Sequence, residues 1–375
     1  MTASGRYAAF AVPGDLVEAD GSVTPGPHHQ VPPCRHFPEC GGCQLQHADD
    51  WAYAAFAVSR IAGALAQHGI ETDIRAPHLS PPNSRRRATL KAQRTVSGVL
   101  LGFYAAKSHR IVDMREDFVL RPELLALLGP LRTLLGHVLS DKAAAEIQMT
   151  VIDGGVDLLL NRVEPSGIEA MDLITSFAAQ HGIARLSIDQ GFGPEPLYEP
   201  EPATISLAGV AVAFPVGGFL QATADGEQAL SQAVAEATRG RTADLFAGIG
   251  TFALAVKADY AAEAARDAVL ALKRAARAMT VEHRDLYRRP LDVAELARFD
   301  SAIIDPPRAG AEQQVRALAT SAVERIAYVS CNPATFARDA ALLVAGGYRL
   351  DWVKPVGQFR WSTHIELASC FSRGE

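Results

Sequence analysis

Cysteine is scarce in this 375-residue chain: there are five, and their placement is uneven. Cys34, Cys40 and Cys43 fall within ten residues, while Cys331 and Cys370 lie near the C-terminus. An odd, clustered set excludes a disulfide framework and points to metal binding or catalysis. Long apolar runs are missing too. No stretch reaches the ~18 uninterrupted apolar residues of a membrane span; residues 205–220 come closest and carry Ser206, Pro215 and three glycines. The opening MTASGRYAAF lacks a basic region followed by an apolar one, so no secretory signal is read and a cytoplasmic setting is expected. There is no excess of positive charge either. Lys and Arg number 36 against 42 Asp and Glu, a net −6, which excludes a uniformly basic nucleic-acid coat but not a local basic face.

What is present is a 48% hydrophobic and 21% charged composition, which excludes a disordered chain and allows a sizeable core. At ~150 residues per domain the length suggests two or three domains. Residues 21–33 (GSVTPGPHHQVPP) read as a linker. Residues 50–68 have helical apolar spacing and stop at Gly69. From Ser84 to Ile111 there are seven Lys or Arg and no Asp or Glu, on segments that alternate like strands. After the Pro-rich stretch 193–202, short apolar runs alternate with Ala-rich helical segments, the rhythm of a parallel sheet with crossover helices.

Four turns of that second half carry chemistry. TADLFAGIGTFAL (242–254) predicts a strand ending at Phe246, Gly248 and Gly250 in the turn, and a helix from near Thr251. Glu263, nineteen residues after Asp244, stands where a second strand would end, a place suited to ribose hydroxyls. The spacing is not that of a dinucleotide fingerprint and there is no P-loop lysine. A ligand with ribose but no phosphate, such as S-adenosylmethionine, fits better. SAIIDPPRAG (301–310) ends a strand in Asp305 and stiffens the rim with two prolines. YVSCNPATFARD (328–339) puts Cys331 just past a strand and before a helix near Ala334, where the helix N-terminus favours thiolate. Glu366 lies in an otherwise apolar strand, either as a paired charge or as a base tuned by burial. Cys370 reads as a buried structural cysteine.

In their order and spacing, CRHFPECGGCQLQH, GGFLQATADGEQAL, DLFAGIGTFAL, DPPRAG, VSCNPATFARD and THIEL resemble the RNA 5-methyluridine methyltransferase family, from about Pro33 to the C-terminus. The resemblance implies an α/β fold with a class I, Rossmann-like methyltransferase domain and a smaller β-rich central domain. It implies Cys331 as nucleophile and Glu366 as proton acceptor, with Gln221, Phe246, Thr251, Glu263, Asp285 and Asp305 around S-adenosylmethionine and uracil. Thr251 stands where the family usually has Asn, and the loop before Glu263 is shorter than the family's. The expected boundaries are 1–33 (remnant of an N-terminal β-barrel plus linker), 34–204 (central region) and 205–375 (methyltransferase), with the helix at 50–68 packing on the last.

Three thiolates on one short loop suit an iron–sulfur cluster, or zinc with His36 or His47. The family branch that modifies 23S rRNA carries a [4Fe-4S] cluster with this spacing, and its fourth cysteine falls here at Asp117. The resemblance implies Cys34, Cys40 and Cys43 as ligands; at the departing fourth place either Asp117 ligates by oxygen, the reading favoured here, or the cluster is three-iron, labile or lost. Arg85, Arg86, Arg87, Lys91 and Arg94, with Lys107 and Arg110, form the expected phosphate-contacting face. The expected partner is structured RNA, 23S rRNA in the first place, methylated by a monomer. The alternatives are tRNA T-loop methylation, a catalytically silent RNA-binding factor of the same fold, and a soft-metal sensor.

Overall fold

The computed structural model describes residues 8–374. Two sheets organise the chain. The first has seven strands in the order Pro194–Tyr198, Ile183–Asp189, Gly155–Asn161, Ala144–Ile152, Arg87–Thr95, Gly98–Tyr104, Ile111–Asp113. Burial alternates in Arg87–Thr95, where Ala88, Leu90 and Ala92 are buried while Thr89 and Gln93 are exposed, whereas Gly155–Asn161 is buried on both faces. Helix Leu128–Val138 covers the apolar side with Leu128, Leu131, Leu135 and Val138, spaced to form one helical stripe.

The second sheet runs Thr280–His283, Tyr260–Glu263, Thr242–Leu245, Ser301–Ile304, Arg325–Ser330, Glu366–Ser372, Arg349–Gly357. The first five strands are parallel, and the last in sequence, Glu366–Ser372, inserts antiparallel beside Arg325–Ser330. Both faces are covered, which is why these strands read as continuous apolar runs. Leu245, Ile304, Tyr328 and Leu367 pack toward helices Glu312–Ala319 and Pro333–Ala345. Ile303, Val329 and Ala368 pack toward helix Ala224–Ala237.

Helix Asp50–Ala66 starts on an N-cap, the Asp49 side chain accepting from the Ala52 N–H at 2.8 Å. Its Ala57, Ile61 and Leu65 join the core of the second sheet, against Pro333–Ala345 and Arg349–Gly357. The short strands Asp73–Ile74 and His78–Leu79 then pair with Arg349–Gly357. The helix thus packs where it was expected to, and the two short strands, unforeseen in the sequence, extend the second sheet with residues from the 34–204 segment. Two-residue strands reading DI and HL carry no periodicity that would reveal their partner. Within 1–33 the described residues hold one small hairpin, Leu16–Val17 with Val23–Thr24.

Candidate active site

The carboxyl ends of the parallel strands open into a cavity of about 1090 Å³. Gln221, Phe246, Thr251, Glu263, Asp285, Asp305, Cys331 and Glu366 all line it. After Leu245 the chain turns at Phe246 with φ 67°, and Gly250 follows at φ 95°. A Cβ on Gly250 would come within 2.4 Å of Leu272, so only glycine allows the helix from Thr251 to seat there. Glu263 ends its strand as expected. Its carboxylate accepts from the Gly248 N–H at 2.9 Å and the Ala265 N–H at 2.6 Å, which pins the glycine turn to the neighbouring strand end. The Phe246 ring lies 5.4 Å from that of Tyr287, two residues past Asp285. Sequence reading did not single out Tyr287.

Cys331 follows its strand directly, and Asn332 caps the helix Pro333–Ala345 by accepting from the Ala334 N–H at 3.1 Å. The Asn332 side chain also donates to the Arg308 carbonyl at 3.1 Å, and Thr335 donates to it at 3.2 Å. The Asp-Pro-Pro-Arg rim and the Cys331 turn are thereby tied together. The thiol does not gain the acidity expected of a helix N-terminus. Burial, then the Glu366 and Asp305 carboxyls, push it up, and Arg308 only partly offsets them.

Glu366 is 5% exposed, and burial raises its carboxyl to about 7. It accepts from Gln358 Nε2 at 2.5 Å, and the nearby Arg87 guanidinium also favours its charged form. Asp305 is raised well above its usual range by desolvation and by the neighbouring Glu366 and Asp244. Asp244 is fully buried with neither oxygen hydrogen-bonded, and burial lifts it to about 7. Gln358, like Tyr287, is a residue that sequence reading missed. A glutamine in VGQFRW gives no signal, because its role depends on strands that meet only in the fold.

Comparison with known proteins defines the class. The family model described as tRNA (Uracil-5-)-methyltransferase matches residues 271–373. An uncharacterized RNA methyltransferase of Zymomonas mobilis is 48% identical, over 100% of this chain and 96% of that protein. The 23S rRNA (uracil(1939)-C(5))-methyltransferase of Pectobacterium atrosepticum is 31% identical over 93% of this chain and 81% of that protein. This chain belongs to the RNA uracil-C5 methyltransferase family. It is an S-adenosylmethionine-dependent enzyme. The fold agrees with the crystal structure of Pyrococcus abyssi tRNA (uracil-54, C5)-methyltransferase in complex with S-adenosyl-L-homocysteine, at TM-score 0.76 and 22% identity, over 97% of this chain and 94% of that one.

The basic stretch of this methyltransferase does not form one face. Arg86 is buried and ion-paired with Glu227 at 2.5 Å. Arg94 donates to the Gly136 carbonyl at the end of a helix, Lys91 pairs with Glu146, and Arg110 pairs with Glu39. Strand alternation explains the split, since neighbouring side chains point to opposite sides. Arg85 and Arg87 are the two that line the cavity, over the rings of Phe359 and Phe219 at 5.2 and 4.6 Å.

Cys34, Cys40, Cys43 and Asp117 line one small cavity of about 20 Å³, together with His36. All three thiols are raised by burial, with the Asp117 charge contributing. The Asp117 Oδ1 accepts from the Val119 and Leu120 N–H groups at 2.7 and 2.6 Å. His36 Nε2 accepts from the Arg115 N–H at 3.0 Å, and His47 packs edge-on to Phe10 and tilted against Phe37 and His29, and does not line this cavity. The donors suit an iron–sulfur group in kind. Among the described residues, no three such groups stand at metal-binding spacing in the chain as folded here. No helix of the described residues is long and apolar enough to cross a membrane.

Proposed function

We propose that this enzyme methylates C5 of a uridine in 23S rRNA through a covalent bond between Cys331 and C6. The observation that carries the reading is the placement of Cys331 and Glu366 on adjoining strand ends in one cavity. Uracil C5 is a weak nucleophile, and addition of the Cys331 thiolate to C6 makes it an enolate carbon able to attack. S-adenosylmethionine supplies the electrophilic methyl group, and Phe246, Thr251, Glu263 and Asp285 are the residues that would hold it. Glu366 then takes the C5 proton, the C6–S bond breaks, and the C5–C6 double bond reforms as thiolate leaves. A cationic methyl donor in the cavity would offset the carboxyls that hold the Cys331 thiol up. Asp305, whose carboxyl burial and the neighbouring Glu366 and Asp244 push well above its usual range, is suited, when protonated, to donate to a carbonyl oxygen of the base. The target base has to leave its stack to reach this depth. Arg85 and Arg87 at the cavity wall and the exposed Lys107 are placed for the RNA backbone.

The 23S rRNA target is favoured by the named 23S rRNA relative and by the cysteine loop. Cys34, Cys40, Cys43 and Asp117 are the proposed ligands of a [4Fe-4S] cluster. That group would act as a staple between the loop and the central sheet, where Gly41 N–H donates to Tyr104 at 2.9 Å. Mapping 5-methyluridine in total RNA from a deletion strain tests the reading. Loss of one 23S rRNA site supports it, and loss confined to the tRNA T-loop overturns the rRNA assignment.

A further inference from the structure

Gln358 does not line the cavity, yet its side chain is bonded on every side. It is 1% exposed. Its Oε1 accepts from the Ala222 N–H at 2.7 Å and from the Thr223 N–H at 3.4 Å. These backbone donors settle which end of the amide is oxygen, since a nitrogen there would face two other N–H groups. The Nε2 end therefore points the other way, with two hydrogens to give. One goes to Glu366 Oε2 at 2.5 Å and the other to Gln221 Oε1 at 2.6 Å. The fold makes room for this arrangement at Gly226, where a Cβ would come within 2.7 Å of the Gln358 Cβ.

We infer that Gln358 is a positioning residue that clamps Glu366 and Gln221 in one rigid frame, leaving a single Glu366 oxygen to receive the substrate proton. The inference rests on the proposed role of Glu366 as base. Three consequences follow from the donor count. Oε2 of Glu366 is committed to Gln358, so the proton goes to Oε1. A hydrogen bond to the charged form resists the tendency of burial to keep this carboxyl protonated. Gln221 accepts through Oε1, so its amide nitrogen is the end left for a ligand acceptor in the cavity. One amide thus sets the protonation of the base and the polarity of a cavity-lining glutamine, without touching the substrate itself.

The test compares Gln358→Leu, Gln358→Glu and Glu366→Gln in the full chain, with unmodified RNA substrate and S-adenosylmethionine. Gln358→Leu removes both donors. It is expected to slow adduct breakdown by ~10- to 100-fold, the effect of losing a hydrogen bond to a charged group. A denaturant-stable protein–RNA adduct carrying the methyl group should accumulate, and the acidic limb of the pH–rate profile should move to higher pH. Gln358→Glu keeps the volume and the acceptor for Ala222 and Thr223, so it guards against misfolding in the leucine variant. It sets a second carboxyl against Glu366, so its acidic limb should move the same way. Accumulation of adduct in Glu366→Gln, with wild-type breakdown and wild-type pH profiles in both folded Gln358 variants, would overturn the positioning role while the base assignment stands. Wild-type turnover by Glu366→Gln would instead overturn the base assignment, and the inference with it.

Discussion

Cys331 and Glu366 face each other across two antiparallel strands. Ser330, just before the cysteine, pairs with Leu367, just after the glutamate. The next step of that register brings the proposed nucleophile and base together, although 35 positions separate them in sequence. The insertion of the last strand between its two predecessors is what creates the pair.

The first prediction concerns Cys331. RNA containing 5-fluorouridine should trap a denaturant-stable adduct with the wild-type enzyme, since fluorine cannot leave as a proton does. Cys331→Ala should give no adduct by denaturing electrophoresis and no methyl transfer. An adduct persisting in this variant would move the nucleophile elsewhere.

Glu366 sets a pH dependence. With its carboxyl raised to about 7, the ionised form that accepts a proton is depleted below neutrality. Single-turnover breakdown of the methylated adduct should accelerate as pH rises through about 7, then level off. Glu366→Gln should accumulate adduct at every pH tested. A breakdown rate that is flat with pH in the wild type would remove this carboxyl from the rate-determining proton transfer.

Asp244 gives a stability prediction of definite sign. Its folded-state value is lifted from 3.8 to about 7, so the folded protein holds a proton that the unfolded chain releases. This group's contribution is full below pH ~4 and falls as pH rises toward about 7. Asp244→Asn cannot ionise. Its melting temperature should gain on the wild type between pH 5 and pH 7.5, whatever the absolute values. A difference that is constant with pH would mean that Asp244 does not titrate in this window.

The arginines separate two roles. Arg86→Ala leaves the largely buried Glu227 without its partner and should cost about 3 kcal/mol of stability by denaturant unfolding. Arg87→Ala should leave folding nearly unchanged but weaken RNA binding and flatten its salt dependence. Equal melting curves for Arg86→Ala and the wild type would contradict the buried-pair reading.

For the cysteine loop, anaerobically purified protein should be brown and contain iron and acid-labile sulfide in equal amounts. A carboxylate is a harder ligand than thiolate, so the iron nearest Asp117 should be lost first to chelator. Asp117→Cys should make the absorbance more resistant to air. Stoichiometric zinc without sulfide would defeat the cluster and favour a mononuclear site.

The sequence alone determined the order of the chemistry-bearing turns and the fold class. Asp305, Cys331 and Glu263 fall at strand ends that short apolar runs, prolines and glycines announce locally. Glu366 stood out because a carboxylate in an apolar strand needs a reason, and the fold supplied it at the strand's first position. Only the tertiary structure decided the rest. Arg85, Arg86 and Arg87 are indistinguishable as letters, but strand alternation sends Arg86 to Glu227 and its neighbours to the cavity. The thiol of Cys331 looked favoured by a helix end until burial and two carboxyls outweighed it. Gln358 was invisible because its meaning lies in four partners, residues 221–223 and 366. Local pattern records what a residue does to its own backbone. Electrostatics and hydrogen bonding between distant segments depend on distances that exist only once the sheets have closed.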